Sequence, residues 1–229
     1  MRRIGGVLGV AAPLAATAIV LIGGLLTPGY DPLRRTISRL AEPGLPAAVP
    51  VELAILMVGF ALIGLALLLG PGGASGRLLL AIAGLALLVA AAVRLDPTSA
   101  TPTTIHRLAT TVAMLALTAS MLVIAPTLKG RPGWRGYGAL SFGLGAAAVG
   151  MLLIGMALLP TAFSAWGAWE RCFLALPMAW MALVSARLLR TSSTEPIRSL
   201  TADRNSWATS VSDEETMKAT AASVSRSGS

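Results

Sequence analysis

Residues 51–70 read VELAILMVGFALIGLALLLG, a run of twenty residues with a single charged side chain, Glu52. A helix rises 1.5 Å per residue, so about twenty apolar residues cross the roughly 30 Å hydrocarbon core of a bilayer. The chain contains five further apolar runs of this kind, at about residues 7–27, 78–93, 108–128, 138–160 and 166–189. The sequence therefore predicts an all-α fold, a bundle of six transmembrane helices.

The composition of the chain supports a membrane environment. Of its 229 residues, 55% are hydrophobic and only 12% are charged, and the mean hydropathy is +0.76. A soluble domain carries about 25% charged residues, so lipid must solvate most of this surface. We predict a six-span domain over residues 1–190. Residues 191–229, rich in Ser, Thr and Ala and without apolar periodicity, are predicted to form a disordered cytoplasmic tail.

The net charge of +8 and the isoelectric point near 11.2 are values that nucleic-acid-binding proteins also show. Here the basic residues flank apolar runs instead of forming one stripe, which argues against a nucleic-acid partner and favours membrane lipids. Cys172 is the single cysteine, so the chain has no intrachain disulfide and no cysteine cluster for a metal. We predict a packing role for Cys172.

The distribution of Lys and Arg predicts the orientation. With the N-terminus inside, twelve of the 18 basic residues lie on the cytoplasmic side, and eight against six remain when the four in the tail are left out. The acidic residues of the spans and their loops all fall on the outer side: Asp31, Glu42, Glu52, Asp96 and Glu170. We predict a multi-pass protein of the cytoplasmic membrane with both termini in the cytoplasm.

The first outer loop, residues 28–50, contains a predicted short amphipathic helix. Asp31 followed by Pro32 is typical of an N-cap and a first helical position. Helical spacing then puts three apolar residues on one face, Leu33, Ile37 and Leu40. The other positions are polar: Arg34, Arg35, Ser38, Arg39 and Glu42. Such a helix either anchors the loop at the membrane interface through local ion pairs or folds over the mouth of the bundle.

Two other polar segments lie at the same end. Asp96 closes the third span and His106 opens the fourth, so we expect the two to face each other across the loop. An imidazole beside a carboxylate is a possible general base, ligand or pH sensor; alternatively Asp96 pairs with a neighbouring arginine and His106 caps the span. Glu170 and Arg171 lie about one turn into the sixth span, where charges need partners on neighbouring elements.

These segments predict a polar pocket at the extracytoplasmic end of the bundle, formed by Asp31, Arg35, Ser38, Asp96, His106, Glu170 and Arg171. The favoured interpretation is binding of a lipid headgroup or a small solute, because Arg suits phosphate and carboxylate. It assigns no catalytic residue, metal or cofactor. An intramembrane hydrolase that uses Ser38, His106 and Asp96 is the first alternative. A structural or regulatory subunit, in which the polar residues latch the loops together, is the second.

The same segments resemble the motifs of one family. The first loop has a pattern like D-P-x-x-x-x-I-S-x-L, matched by Asp31, Pro32, Ile37, Ser38 and Leu40. The second has an Asp, a Thr/Pro-rich stretch and T-x-H, matched by Asp96, Thr104 and His106. The last span resembles G-x-x-E-R followed by a Trp, matched by Gly167, Glu170, Arg171 and Trp180.

In this order the motifs resemble domain of unknown function 998, a bacterial family of six-span membrane proteins, over residues 1 to about 190. In many relatives a Glu follows the serine, whereas Arg39 stands there in this chain. The resemblance implies the six-span fold and a bacterial cytoplasmic membrane. It implies no activity.

Overall fold

The computed structural model describes residues 2–70 and 73–191, and the predicted disordered tail lies outside the described residues from residue 192 onward. The described part contains six long helices and no strand: α1 (Arg2–Leu26), α2 (Ala48–Leu68), α3 (Ala74–Ala92), α4 (Ala100–Lys129), α5 (Arg135–Leu158) and α6 (Trp166–Thr191). All six are long and apolar enough to cross a membrane. The all-α prediction of six membrane helices is confirmed.

The outer surface of the helices is apolar. Leu14, Leu25, Phe60 and Leu67 are large hydrophobic side chains that remain more than 60% exposed. A helix that is hydrophobic all round suits a protein core or a membrane, and a surface of such residues would associate in water. This apolar surface agrees with the prediction, made from the composition, of a multi-pass membrane protein.

Each of the first four helices packs against the next one in the chain. A short chain of hydrogen bonds then ties α6 to the bundle. Trp180 of α6 is fully buried, and its indole N–H donates to Ser141 Oγ on α5 at 2.6 Å. Ser141 in turn donates to the carbonyl of Met121 on α4 at 3.0 Å. These hydrogen bonds connect the three helices within the core of the bundle.

Glycines allow the backbones of α2 and α3 to touch. A Cβ added to Gly84 would lie 2.6 Å from the carbonyl oxygen of Gly59, and one added to Gly59 would lie 3.0 Å from the carbonyl oxygen of Gly84. Small residues at a helix interface permit such close approach in membranes, where van der Waals packing drives helix association.

Two arginines cap the end of α2 that faces away from the first loop. Arg77 donates to the carbonyls of Ala66 at 2.7 Å and Gly70 at 3.0 Å, and the Arg131 guanidinium donates to the carbonyl of Leu69. The last carbonyls of a helix have no partner within the helix, and positive charge offsets the negative end of its dipole. These arginines therefore stabilise the helix end.

A segment that we call the strap, residues 30–41, crosses the opposite end of the bundle. Its first part is one turn, in which the N–H groups of Arg34 and Arg35 donate to the carbonyl of Asp31 at 3.2 and 2.8 Å. Thr36 is extended, with φ −66° and ψ 158°, and a 3₁₀ helix then runs over Ile37–Ala41. The loop thus has a short helix, but it begins at Ile37, and the predicted start at Pro32 is wrong.

Hydrogen bonds from the side chains of Tyr30 and Arg171 explain this break. The carbonyl of Arg35 would accept a backbone hydrogen bond in a continuous α-helix. It accepts instead from the Tyr30 hydroxyl at 3.0 Å and from an Arg171 guanidinium N–H at 3.2 Å. The Tyr30 hydroxyl also lies 3.0 Å from the carbonyl of Thr36. Tertiary hydrogen bonds therefore replace the helical ones at this point.

The strap has a small core of its own. Leu40 is fully buried with Ala41 and packs with Tyr30, Ala47 and Val51, and Ile37 packs against this cluster. Leu33, predicted to share the apolar face, is 63% exposed because it lies in the turn before the break.

Candidate functional site

A cavity of about 730 Å³ lies beside the strap, and we call it the polar cavity. The strap, the loop after α3 and the first turns of α4 and α6 supply its walls. Its lining consists of Arg34, Arg35, Thr36, Ser38, Arg39, Glu42, Leu95, Pro97, His106, Arg107, Thr110, Trp166 and Glu170. Four of the predicted site residues are therefore brought to one cavity: Arg35, Ser38, His106 and Glu170.

His106 and Ser38 form a hydrogen bond in the wall of this cavity. His106 is 2% exposed, and its Nε2 lies 3.1 Å from Ser38 Oγ. Its Nδ1 lies 2.8 Å from the carbonyl oxygen of Ala90 and 3.0 Å from that of Val93. Carbonyls only accept hydrogen bonds, so Nδ1 carries a proton. In the neutral imidazole Nε2 then has none, and it accepts from the Ser38 hydroxyl.

The two carbonyls belong to the end of α3, which is why the imidazole docks there. The last carbonyls of a helix lack partners within it and carry the negative end of the helix dipole. His106 satisfies two of them. The same contact fixes the tautomer and the ring orientation, as a carboxylate would do in a catalytic triad.

Glu170 holds the strap in position. Its Oε2 accepts from the backbone N–H of Ile37, the first residue of the 3₁₀ helix, which has no partner within that helix. Thr36 and Ser38, on either side of Ile37, line the polar cavity, whereas Ile37 lines a separate apolar cavity of about 240 Å³. This bond therefore sets which strap residues face the polar side.

Arg171 fastens the first turn of the strap to α6, and we call this set of contacts the latch. Its Nη1 donates to the carbonyls of Pro32 at 2.7 Å, Gly167 at 2.9 Å and Arg35 at 3.2 Å. Its Nη2 donates to the Tyr30 hydroxyl at 2.6 Å. Burial raises the pKa of Tyr30 and the hydrogen bond from Arg171 opposes that rise. Arg171 lines the apolar cavity and not the polar one.

The structure does not bring Asp96 to His106. The Asp96 Oδ1 accepts from the Thr98 N–H at 2.9 Å and from the Thr98 hydroxyl at 2.7 Å, and these bonds lower the pKa of Asp96. Because α4 begins at Ala100, His106 lies inside that helix and faces α3. The expectation that Asp96 and His106 face each other is wrong, since Thr98 supplies a nearer donor.

Asp31 also lies outside the lining of the polar cavity. Its Oδ1 accepts from the N–H of Leu33 at 2.9 Å, and its Oδ2 lies 3.5 Å from Nε of Arg34. Asp31 therefore caps the turn that opens the strap, which is the local role expected of an Asp before a Pro.

A family model described as "Protein of unknown function (DUF998)" matches residues 10–187. The chain belongs to the DUF998 family. The matched range contains the strap and every residue that lines the polar cavity, so the site lies in the part of the chain that is shared with DUF998, and the resemblance found in the motifs is confirmed. No curated protein and no solved structure matches the chain.

Sequence reasoning missed one ion pair at this end of the DUF998 bundle. Arg94, just after α3, donates from Nη2 to Glu52 Oε2 on α2 at 2.7 Å, and its Nε pairs with Oε1. Glu52 is the one charged residue of the run 51–70, and a charge in a span needs a partner. That signal could have shown that Glu52 needs a partner, although it would not have named Arg94.

The polar cavity of this DUF998 protein carries an excess of positive charge. Its described lining contains four arginines and two carboxylates. Arg39 pairs with Glu42 at 2.5 Å, and Arg34 pairs with Asp31 on the exposed side. Within residues 2–70 and 73–191, no carboxylate lies within ion-pair distance of Arg35 or Arg107. The cavity can therefore offer guanidinium groups to an anion.

The described part of the chain shows no group of three or more His, Cys, Asp or Glu side chains arranged to hold a metal ion. Cys172 is free and exposed on α6, so the packing role predicted for it is wrong.

Proposed function

We propose that this DUF998 protein binds an anion with a phosphate or carboxylate group, a lipid headgroup or a small solute, in the polar cavity. The observation that carries the proposal is the pair Arg35 and Arg107, which line the cavity without a carboxylate partner among the described residues. A guanidinium binds phosphate and carboxylate through two parallel hydrogen bonds. The Thr36 hydroxyl in the same wall supplies a further donor.

The place of the cavity in the bundle supports a lipid as one source of the anion. The cavity lies at the end of the spans, where the headgroups of a bilayer meet the protein. We further propose that both termini are cytoplasmic, so that the cavity opens on the outer side. Three basic residues where α4 passes into α5, Lys129, Arg131 and Arg135, with no acidic residue between them, support this orientation.

A charge-removal experiment tests the proposal. Inorganic phosphate is expected to raise the melting temperature of the wild-type protein in mild detergent, because a ligand that binds only the folded state stabilises it. The double substitution Arg35→Gln with Arg107→Gln is expected to weaken phosphate binding by at least about tenfold, which corresponds to about 1.4 kcal/mol. The stabilisation by phosphate should fall accordingly.

Two single substitutions serve as controls. Arg135→Gln removes an exposed arginine from the first turn of α5, at the other end of the bundle, and Asp96→Asn changes a carboxylate outside the cavity lining. Both are expected to keep the wild-type response to phosphate. Equal responses in the double variant and in the controls would contradict the proposal.

Native mass spectrometry distinguishes the two sources of the anion. If the ligand is a lipid headgroup, the protein extracted from a mixed bilayer retains an anionic lipid in preference to a zwitterionic one, and the double variant loses that preference. If the ligand is a small solute, phosphate stabilises the protein while no anionic lipid is enriched. If neither phosphate nor an anionic lipid binds, the proposal fails. The polar residues would then serve only to hold the loops together, as the structural-subunit alternative predicts.

A further inference from the structure

The hydrogen bond between Ser38 and His106 can run in the direction that a nucleophilic serine needs, from the hydroxyl to the imidazole. With His106 neutral and its proton on Nδ1, the Ser38 hydroxyl donates to Nε2 at 3.1 Å, and both residues line the polar cavity. A serine hydroxyl is a weak nucleophile by itself and becomes active when an adjacent base can take its proton. A hydrogen bond of about 2.6–3.2 Å is the geometric requirement for such a base.

The base also has a group that orients it. In a Ser-His-Asp triad, a carboxylate accepts from Nδ1 and stabilises the imidazolium that forms. Here the carbonyls of Ala90 and Val93 accept from Nδ1, at the negative end of the α3 dipole. Asp96, which the hydrolase hypothesis assigned to this role, is not required.

We infer that Ser38 is a nucleophile and His106 its general base, and that the polar cavity catalyses acyl transfer from a carboxylic ester that bears an anionic group. The inference rests on the proposed function, because the cavity arginines would hold the anionic part of the ester. Those arginines are also the positive groups that would stabilise the negative charge of a tetrahedral intermediate.

The step balances with water as the acceptor. Ser38 Oγ forms a bond to the carbonyl carbon while its proton passes to His106 Nε2. The bond from that carbon to the alcohol oxygen breaks, and the alcohol leaves with the proton from Nε2. Water then attacks the acyl-serine with His106 again as base, which releases the carboxylic acid and restores the Ser38 hydroxyl. The proton on Nδ1 remains on that nitrogen throughout, hydrogen-bonded to the carbonyls of Ala90 and Val93.

An alkyl fluorophosphonate, which reacts with activated serines, tests this inference on the full chain in mild detergent. Ser164, exposed in the loop between α5 and α6 at the same end of the bundle, is the internal control. Peptide mapping is expected to find Ser38 labelled at least about 100-fold faster than Ser164, the lower end of the gain from a positioned base. Incubation with a p-nitrophenyl ester is expected to leave an acyl group on Ser38. Labelling of Ser38 no faster than Ser164 would overturn the inference.

Variants connect the labelling to the base. His106→Gln is expected to reduce labelling of Ser38 to the rate of Ser164, while Asp96→Asn keeps the wild-type rate. A folded His106→Gln protein that is labelled at the wild-type rate would overturn the role of His106. If His106→Gln does not fold, the ratio of Ser38 to Ser164 labelling within the wild-type chain still decides whether Ser38 is activated.

The same measurements can contradict the nucleophile and the anion site independently of each other. Phosphate should stabilise Ser38→Ala as it stabilises the wild type, and saturating phosphate should slow the labelling of Ser38. If phosphate stabilises both proteins but Ser38 is not activated, the nucleophile is overturned and anion binding stands. If Ser38 is activated but phosphate neither binds nor slows its labelling, the anionic class of substrate is overturned.

Discussion

Gly167→Ala is expected to displace the strap, lower the melting temperature and abolish phosphate binding. A Cβ at position 167 would lie 2.2 Å from the carbonyl oxygen of Arg35 and 2.5 Å from that of Pro32. Both atoms belong to the backbone, so no side-chain rotation relieves the clash. Overpacking of this kind costs about 1–3 kcal/mol, and occasionally more, and we expect the upper end because α6 and the strap must separate. Thermal unfolding in detergent, with and without phosphate, measures both effects.

Two other glycines provide matched controls. Gly64 in α2 and Gly143 in α5 have no atom within 4 Å of an added Cβ. Alanine is favoured over glycine inside a helix by about 1 kcal/mol, so Gly64→Ala and Gly143→Ala should equal or exceed the wild type in stability. A Gly167→Ala protein that melts and binds phosphate like these controls would show that the strap does not need to contact α6.

Arg171→Leu is expected to be the second most damaging substitution. It removes all four hydrogen bonds of the latch and leaves the carbonyls of Pro32 and Arg35 without this donor. A hydrogen bond to a charged group contributes about 1.5–3 kcal/mol. Because the four bonds share one guanidinium and are partly exposed, we expect a total loss of about 3 kcal/mol rather than their sum. The melting temperature reports the loss.

Arg171→Lys separates charge from geometry. An ammonium keeps the positive charge but cannot reach four acceptors as the planar guanidinium does, so this variant should fall between the wild type and Arg171→Leu. The control is Arg34→Leu, which removes an arginine whose side chain is 73% exposed in a surface pair with Asp31; its effect should stay within about 0.5 kcal/mol. If Arg171→Lys is as stable as the wild type, the planar arrangement of guanidinium N–H groups is unimportant. The positive charge alone would then account for the stabilisation by the latch.

The six helices were predictable because lipid imposes a simple demand. Within a bilayer every backbone polar group must be bonded inside the chain, so a long apolar run has to be a helix. Runs such as residues 51–70 carry that information locally. The start of α4 at Ala100 lies well before the apolar run at about 108, because polar residues can extend a helix beyond the membrane core without a change in hydropathy.

The arrangement of the site was less predictable, because its partners are distant in sequence and many are backbone atoms. Ser38 and His106 were both named as site residues, but 68 positions separate them, and nothing local indicates a contact. The orienting group of His106 is a pair of carbonyls, which every residue has, so the sequence pointed to Asp96 instead. The same reason hid the partners of Arg171, three of which are carbonyls.

The bond from the Ile37 N–H to Glu170 has a consequence for the synthesis of the protein, since it joins residues that are 133 positions apart. A chain enters the membrane from its N-terminus as the ribosome elongates it, so the strap has emerged long before α6 exists. Until α6 has been inserted, neither Glu170 nor the latch can hold the strap. The side of the polar cavity that α6 forms, with Trp166 and Glu170, is then missing. A nascent chain that stops after α5 would carry Ser38, His106 and all four arginines of the polar cavity, but it would lack Glu170 and Trp166 from the cavity lining. Closure of the site therefore reports that the last helix has been made and inserted.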